Sequence, residues 1–348
     1  MKRQGVSGVK IAMVYIGTVV GAGFATGQEI LQFFVVFGFS GVWGILLSTA
    51  LFVGYGVLIM RLGLTMAAGS HQEILPQIGG KLFGSAMDVL IMVSLFAALT
   101  AMMAGTGALF AQQFGLPAAF GNALMGVLTV LTVLKGLRGV IGAISAVVPF
   151  LLVSVITISI FALLAGPLDF STAPPVVGRG LMGNWLWAAV LYGSYNILMS
   201  AAVLAPLGAE AKDQRAIFRG GALGGIGLGA ASLMIFLAIT ANPESAGLEV
   251  PILHLARQAS PVVGALFSVV LLAEVYTTAV GALYGFSARL QGLGNSTRLI
   301  AGTASAAFLA SLLGFSNLVR YLYPLQGYGG LLFLVALLFA KRLRSGKM

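Results

Sequence analysis

The chain contains ten apolar segments on the scale of a lipid bilayer, and this feature constrains its fold more than any other. A transmembrane helix needs about 20 predominantly apolar residues, because the hydrocarbon core is about 30 Å thick. The segments are 10–37, 41–62, 86–113, 117–135, 139–165, 184–211, 217–240, 260–289, 298–314 and 319–340. Only 8% of the residues are charged and 59% are hydrophobic, which excludes an ordinary soluble domain. We therefore predict an all-α integral membrane protein that forms a single transmembrane domain.

The 19 Lys and Arg residues predict how these spans are oriented. With the N-terminus in the cytoplasm, all of them except Arg179, Arg257 and Arg320 fall on cytoplasmic loops or span ends. This asymmetry follows the positive-inside rule, so we predict a multi-pass protein of the plasma (inner) membrane with both termini in the cytoplasm. Because the cations are spread over membrane-flanking loops, the net charge of +10 does not indicate nucleic-acid binding.

The two halves of the chain, 10–165 and 184–340, hold five predicted spans each. An odd number of spans per half places two similarly folded halves upside-down relative to each other, which is the inverted repeat of many secondary transporters. Both halves begin with a span that carries a candidate interruption. Span 1 has four glycines within 17–27, and span 6 has the polar sequence YGSYN at 192–196. Glycines also allow close helix packing, but two interruptions at corresponding depths favour a 5+5 repeat in which helices 1 and 6 are broken.

The sequence TGQE at 26–29 has the form of a capping box, in which a threonine and a glutamate cap the start of a helix. It predicts that the helix restarts near the middle of the membrane. A helix N-terminus there presents free backbone amides and the positive end of the helix dipole, which suit an anionic group. Glu29 therefore has two possible roles, as the capping partner of Thr26 or as a direct ligand of a substrate or a proton.

Three motifs resemble the YkvI-type family of bacterial membrane proteins. They are VGAGFATGQEI at 20–30, MAGTGALF at 103–110 and AEVYTTAVG at 273–281. The likeness extends over nearly the whole chain. The family is similar to the amino acid–polyamine–organocation superfamily, with the five-plus-five inverted-repeat fold of the sodium-coupled transporter LeuT. One departure is Gln112, where we would expect an acidic residue, so a proton role at this position is not supported.

The resemblance implies an ion site and a substrate site. The ion site would lie between spans 1 and 8, where the backbone carbonyls of Gly17 and Val20 would face the hydroxyls of Thr277 and Thr278. Oxygen ligands of this kind suit a hard cation such as Na⁺. The implied substrate-binding residues are Ala22, Gly23, Phe24, Met103, Thr106, Phe110, Tyr192, Gly193, Ser194, Tyr195 and Asn196. No cofactor is expected, and Na⁺ or H⁺ would be the coupling ion.

Glu274 lies about halfway along span 8, with Thr277 and Thr278 three and four residues further on the same helix face. A charge at this depth costs roughly 3 kcal/mol, so the residue needs a reason to be there. It is either a site of proton coupling, a neighbour of the bound cation, or a neutral side chain bonded to another helix. Asp88 and Glu210 lie near the cytoplasmic surface, and we expect Asp88 to favour the N-terminus of span 3 and Glu210 to pair with a basic residue.

These features predict a secondary active transporter rather than an enzyme. The leading hypothesis is Na⁺-coupled symport of a small amino acid or related zwitterion by alternating access, and the alternative is an H⁺-coupled carrier that uses Glu274. A channel would not require two broken helices. A membrane-embedded enzyme would need acid–base or metal-binding groups at mid-depth, but the chain has no cysteine, and His71 and His254 fall in loops on opposite sides. The expected partners are a small-molecule substrate and the lipid bilayer.

Overall fold

The computed structural model of the chain describes residues 5–135, 140–168, 170, 180–289 and 296–345. Within these residues the protein is almost entirely helical. Seven helices of the described part of the chain are long and apolar enough to cross a membrane, compared with the ten spans predicted from the sequence. Three shorter apolar helices, Gly8–Val19, Gln28–Phe37 and Pro149–Ala165, fall within the predicted spans 1 and 5. The multi-pass, all-α architecture agrees with the prediction.

Thirteen α-helices occur among the described residues. In chain order they are α1 Gly8–Val19, α2 Ala22–Ala25, α3 Gln28–Phe33, α4 Ser40–Met66, α5 His71–Phe114, α6 Ala118–Lys135, α7 Val140–Ala165, α8 Trp185–Ala209, α9 Gln214–Ala241, α10 Pro251–Ala259, α11 Pro261–Arg289, α12 Ser296–Ser311 and α13 Phe315–Ser345. Two 3-10 segments, Val35–Phe37 and Pro243–Gly247, join them. Helix α5 begins well before the predicted span, and its backbone leaves the helical conformation at Gly80.

The first predicted span is divided among α1, α2 and α3. Helix α1 ends at Val19 because Val20 and Gly21 both have extended backbones. The second interruption lies at Gly27, whose φ of 83° falls in the left-handed region that glycine adopts without a steric penalty. The backbone between α1 and α3 is therefore non-helical at two points separated by a single helical turn.

The predicted capping box at Thr26 and Glu29 is wrong. The residue that precedes α3 is Gly27, which places Glu29 at the second helical position instead of the third that a capping box requires. The Thr26 hydroxyl instead donates to the Gly23 carbonyl at 3.0 Å and accepts from the Gln28 amide at 3.3 Å. The Glu29 side chain is consequently available for contacts outside its own helix.

The predicted break in span 6 is also wrong, because α8 is continuous from Trp185 to Ala209. Ser194 and Asn196 are hydrogen-bonded without unwinding the helix. Asn196 Nδ2 donates to the Tyr192 carbonyl one turn earlier at 3.1 Å, and the Ser194 hydroxyl lies 2.7 Å from the Gly327 carbonyl of α13. Gly193 serves close packing, since a Cβ there would lie 2.7 Å from Leu51 Cδ1 of α4.

The long helices pack as two groups, with the interrupted segment between them. In the first group, α4 packs against α8 and α9, and α1 packs against α9. In the second, α5 packs against α6, α11 and α12. Helix α2 contacts α5 and α11 of the second group, whereas α3 contacts α8 and α9 of the first. The non-helical backbone around α2 therefore lies where the two groups meet.

Two hydrogen bonds and one ion pair join elements that are distant in sequence. The Val6 amide donates to the Glu210 carbonyl at 2.9 Å, and the Lys212 amide donates to the Val6 carbonyl at 3.2 Å. The Asp88 carboxylate of α5 forms an ion pair with Arg289 of α11. The expectation that Asp88 stabilises a helix N-terminus is wrong because α5 begins at His71. Glu210 forms no ion pair within the described ranges, contrary to its expected pairing.

Candidate functional site

Glu29 is the centre of the candidate site. Helix α3 carries it into the core, where only 4% of its surface remains exposed. The Tyr195 hydroxyl of α8 donates a hydrogen bond to its Oε2 atom. Its carboxylate lies against the backbone of α2, since a Cβ on Gly23 would be only 2.8 Å from both Cδ and Cγ of Glu29. The absence of a side chain at Gly23 therefore lets the carboxylate reach this position.

Six buried aromatic rings surround this region, and we call them the aromatic cluster. They are Phe33, Phe34, Phe52, Tyr192, Tyr195 and Tyr323. The Tyr195 ring lies 5.7 Å from that of Tyr192 and 5.3 Å from that of Tyr323, measured between centroids. The Phe33 ring lies 5.3 Å from Tyr192 and 5.9 Å from Tyr195. The hydrogen bond from Tyr195 therefore joins the Glu29 carboxylate to this cluster.

The Glu29 carboxylate has no basic partner among the residues that the structure describes. Arg320 lies near the same helix, but its Nε donates to Gln32 Oε1 at 3.2 Å, about one turn further along α3. Burial of a carboxylate without a cation is unfavourable, so a neutralising proton or an external cation would stabilise this arrangement.

A second polar network lies beside the site and links α3 to the chain before α10 and to the start of α13. Gln28 Nε2 lies 2.6 Å from the Ser316 hydroxyl and 3.2 Å from the Leu248 carbonyl. The Glu249 carboxylate accepts from the Phe315 amide at 3.2 Å, and burial raises the pKa of this carboxyl. These contacts hold α3 against two elements that are more than 200 residues away in sequence.

Gln112, the position where the family resemblance led us to expect an acidic residue, belongs to a neighbouring contact. Its side-chain amide donates to the Val250 carbonyl at 2.9 Å and accepts from the Val250 amide at 3.2 Å. Arg257 Nη1 donates to the Gln112 carbonyl at 2.6 Å. An amide side chain can both donate and accept, whereas an ionised carboxylate only accepts. The glutamine therefore has a structural role that a carboxylate would not reproduce.

Gly17 and Val20 of the predicted sodium site lie at the end of α1. The Val20 amide bonds to the Ile16 carbonyl at 2.9 Å, and the carbonyls that follow Ile16 lack the amide partners of a continuing helix. Helix α11, which carries Thr277 and Thr278, contacts α2. The Thr277 hydroxyl already donates to the Glu274 carbonyl at 3.0 Å, but its oxygen keeps a lone pair that can bind a cation.

Glu274 lies on the same face of α11 and is 4% exposed. Its Oε1 atom lies 3.5 Å from the Thr278 hydroxyl, and its Oε2 atom has no hydrogen-bond partner within the described part of the chain. The described residues contain no group of three or more His, Cys, Asp or Glu side chains that could hold a metal. Any cation at this point would therefore depend on backbone and hydroxyl oxygens together with Glu274.

Only some of the predicted substrate residues come together in the structure. Ala22, Gly23 and Phe24 are buried beside Glu29 in α2, and Tyr192 and Tyr195 belong to the aromatic cluster. The predicted residues of span 3 lie on α5. Met103 Cε lies close to Gly126 of α6, and the Phe110 ring lies 5.4 Å from Phe114 and 5.9 Å from Phe120. Met103 and Phe110 are thus turned towards α6, and the Thr106 hydroxyl bonds to the Met102 carbonyl at 3.0 Å.

Sequence reasoning did not single out Phe33, Phe34, Phe52 and Tyr323 of the aromatic cluster, or Gln28 and Gln32 of α3. Aromatic residues are common in membrane spans, so the rings carried no distinguishing signal. The two glutamines did carry one. They lie four residues apart on α3, where Glu29 is the one other polar residue, so they share a face, and two polar side chains on one face of a buried helix need partners.

Comparison with known proteins relates this arrangement to a family and a fold. No protein-family model matches the chain. The uncharacterized membrane protein YkvI of Bacillus subtilis is 31% identical over 346 residues, which cover 98% of this chain and 98% of YkvI. The chain belongs to the YkvI family. This assignment covers the whole length of the protein, including α2, α3 and α11.

Solved structures show which fold this YkvI-family chain has. The inward-facing structure of Mhp1 matches 96% of the chain and 74% of its own length, with a TM-score of 0.62 at 15% identity. MhsT in complex with L-phenylalanine matches 92% of the chain and 81% of its own length, with a TM-score of 0.60 at 18% identity. A Na⁺-coupled sialic acid symporter in an outward-open state matches 90% and 75%, with a TM-score of 0.58 at 13% identity. The YkvI-family chain therefore shares the LeuT-type fold.

Proposed function

We propose that this chain is a secondary active transporter, which carries a small solute across the membrane by alternating access. The observation that carries the proposal is the non-helical backbone at Val20, Gly21 and Gly27, which lies between two helix groups and beside the buried Glu29. Non-helical backbone at membrane depth persists only inside protein or beside a cavity. In transporters with discontinuous helices, such segments form the binding sites for the solute and the coupling ion.

The helix packing supports two corresponding halves. If 10–165 and 184–340 are inverted repeats, then α1 corresponds to α8, α4 to α9, α5 to α11 and α6 to α12. If each helix is replaced by its counterpart in the other half, the contact between α1 and α9 corresponds to the contact between α8 and α4, and both contacts are present. In the same way, the contact between α5 and α12 corresponds to the contact between α11 and α6, and both are present. Such pairing is expected of a 5+5 repeat, in which one half moves against the other.

For the coupling ion we propose Na⁺, held by the carbonyls of Gly17 and Val20 and the hydroxyls of Thr277 and Thr278. The end of α1 and the contact between α2 and α11 support this site. A proton on Glu274 is the second candidate, because one of its buried carboxylate oxygens has no hydrogen-bond partner among the described residues. Either ion would promote solute binding if the ion and the solute bind the same conformation of the protein, and this coupling would be reciprocal.

For the solute we propose a small amino acid or a related zwitterion. The likeness to a structure that contains L-phenylalanine supports this class. The site itself adds that the solute would meet both the backbone of α2 and the side chains of α8, because Glu29 touches both elements.

Counterflow in proteoliposomes tests the proposal. The purified protein would be reconstituted with an excess of unlabelled amino acids inside, and uptake of the same amino acids in labelled form would be followed with and without a sodium gradient, at two pH values. A carrier exchanges solutes across the membrane, so internal solute should accelerate labelled uptake above that of protein-free liposomes. Solute flux that does not respond to the internal solute would indicate a channel and overturn the proposal.

A further inference from the structure

We infer that this site recognises an ammonium group of the solute, which binds to the Glu29 carboxylate among the tyrosine rings of the aromatic cluster. The inference rests on the proposed function and deepens it, because it names the part of the solute that the site selects. Suitable solutes are small primary amines and amino acids, with the amino group at Glu29.

The first step is the charge of the site. Glu29 is 4% exposed, and its Oε2 atom receives a hydrogen bond from the neutral Tyr195 hydroxyl. No Lys, Arg or His side chain of the described ranges pairs with it. A buried carboxylate without a cation is strongly unfavourable, so a cation that enters the site gains the attraction that the protein itself does not provide.

The second step is the position of the carboxylate over α2. Because Glu29 lies against Gly23, a solute carboxylate that approached α2 there would meet the oxygens of a second carboxyl group. An ammonium group meets the opposite situation. It has three N–H donors, and the Glu29 carboxylate is an acceptor for them.

The third step is the surrounding rings. Tyr195 bonds to Glu29, its ring lies 5.7 Å from that of Tyr192 and 5.3 Å from that of Tyr323, and Phe33 packs against Tyr192 and Tyr195. Aromatic rings attract organic cations through the negative potential of their faces, and this attraction is strongest where water is excluded. A carboxylate enclosed by tyrosines therefore suits an ammonium group better than it suits a strongly hydrated metal ion, which needs several oxygen ligands.

The experiment compares matched solutes that differ only in their charged groups. One set is L-phenylalanine, 2-phenylethylamine and 3-phenylpropionate, and a second set is L-leucine, isopentylamine and 4-methylpentanoate. Each would be added to the purified full-length protein at constant pH and sodium concentration, and the midpoint of thermal unfolding would be measured. Ligands of the folded state raise the midpoint. We expect the amino acid and the amine of at least one set to raise it, whereas the deaminated acid does not.

Variants test whether Glu29 is responsible. Glu29→Gln keeps the shape of the side chain and removes its charge, and the apparent affinity for the amine should fall about tenfold or more, as expected for the loss of one charged hydrogen bond. Tyr195→Phe removes only the neutral hydroxyl, so its effect should be smaller. Glu249→Gln is the matched control, because it makes the same change at a half-buried carboxylate outside the aromatic cluster and should leave amine binding unchanged.

Three results would overturn the inference. They are stabilisation by the deaminated acids but not the amines, no stabilisation by any amine, and amine binding that Glu29→Gln does not weaken. Counterflow measured on the same preparation separates this failure from failure of the proposed function. Accelerated exchange without amine selectivity would leave the transporter in place and refute only the ammonium site.

Discussion

Replacement of Gly23 by alanine should destabilise the protein through the side chain of Glu29. Gly23 lies in α2 and does not have a positive φ, so the backbone itself accepts an alanine. The new Cβ, however, would lie 2.8 Å from both Cδ and Cγ of Glu29, well inside contact distance. The carboxylate must then move away from α2, and it would lose the hydrogen bond from Tyr195.

The magnitude follows from the contacts that change. A hydrogen bond to a charged group contributes about 1.5–3 kcal/mol, and alanine is favoured over glycine in a helix by roughly 0.5–1 kcal/mol. The difference predicts a net loss of about 1–2 kcal/mol for Gly23→Ala. Gly21→Ala is the matched control two residues away. Its backbone is extended and no atom lies within 4 Å of the added Cβ, so its stability should hardly change.

A double-mutant cycle tests the cause. In a Glu29→Ala background nothing remains for the Gly23 methyl group to displace, so Gly23→Ala should stabilise the protein there by the helix-propensity gain of roughly 0.5–1 kcal/mol. The coupling free energy between the two positions should therefore be about 1.5–3 kcal/mol, which is the contribution of the lost hydrogen bond. Equilibrium unfolding of the four proteins in mixed micelles with an increasing fraction of denaturing detergent measures it. An equal loss in both backgrounds, or an equal loss for Gly21→Ala, would refute the reasoning.

Three further predictions follow from the charge distribution and from the ion and loop sites. A reporter fused after Met348 should be active only on the cytoplasmic side, and activity on the outer side would contradict the predicted orientation. Sodium should raise the unfolding midpoint, and Thr277→Val combined with Thr278→Val should remove this response because two oxygen ligands are lost. If sodium has no effect on the wild type, Glu274→Gln should abolish the pH dependence of uptake. A wild type that responds to neither sodium nor pH would refute both coupling schemes. Because burial raises the pKa of Glu249, its protonation should stabilise the folded protein at pH values below the ordinary pKa of 4.5, and this stabilisation should be lost as the pH rises through the raised pKa. Glu249→Gln should therefore flatten this part of the profile of stability against pH. An unchanged profile would refute the assignment.

The positions of the long helices were predictable because each depends on a local property of the chain. The predicted spans from 41–62 onwards coincide with α4–α9 and α11–α13 to within a few residues, apart from the early start of α5. The glycines of span 1 also lie where the structure has non-helical backbone, since Gly27 adopts a left-handed conformation that other residues disfavour.

The contacts of polar side chains were not predictable, because their partners are distant in sequence. The same kind of signal, small and polar residues within a span, marks an interruption in span 1 and none in α8. The difference lies in partners such as the Gly327 carbonyl for Ser194, 133 residues away. Likewise, Met103 and Phe110 turn towards α6 because of how α5 packs, which the spacing of residues along one helix does not specify.

The sequence by itself determined that the chain is a multi-pass helical membrane protein, because hydrophobic length and backbone hydrogen bonding in lipid leave few alternatives. Only the tertiary structure decided the role of Glu29. Local spacing left Glu29 as either a capping partner of Thr26 or a direct ligand of a substrate or a proton, whereas the fold brings it to Tyr195, which is 166 residues away, and to the bare backbone of Gly23. A buried carboxylate is stabilised by whatever groups the folded chain places around it, and these groups come from helices whose relative positions no local pattern encodes.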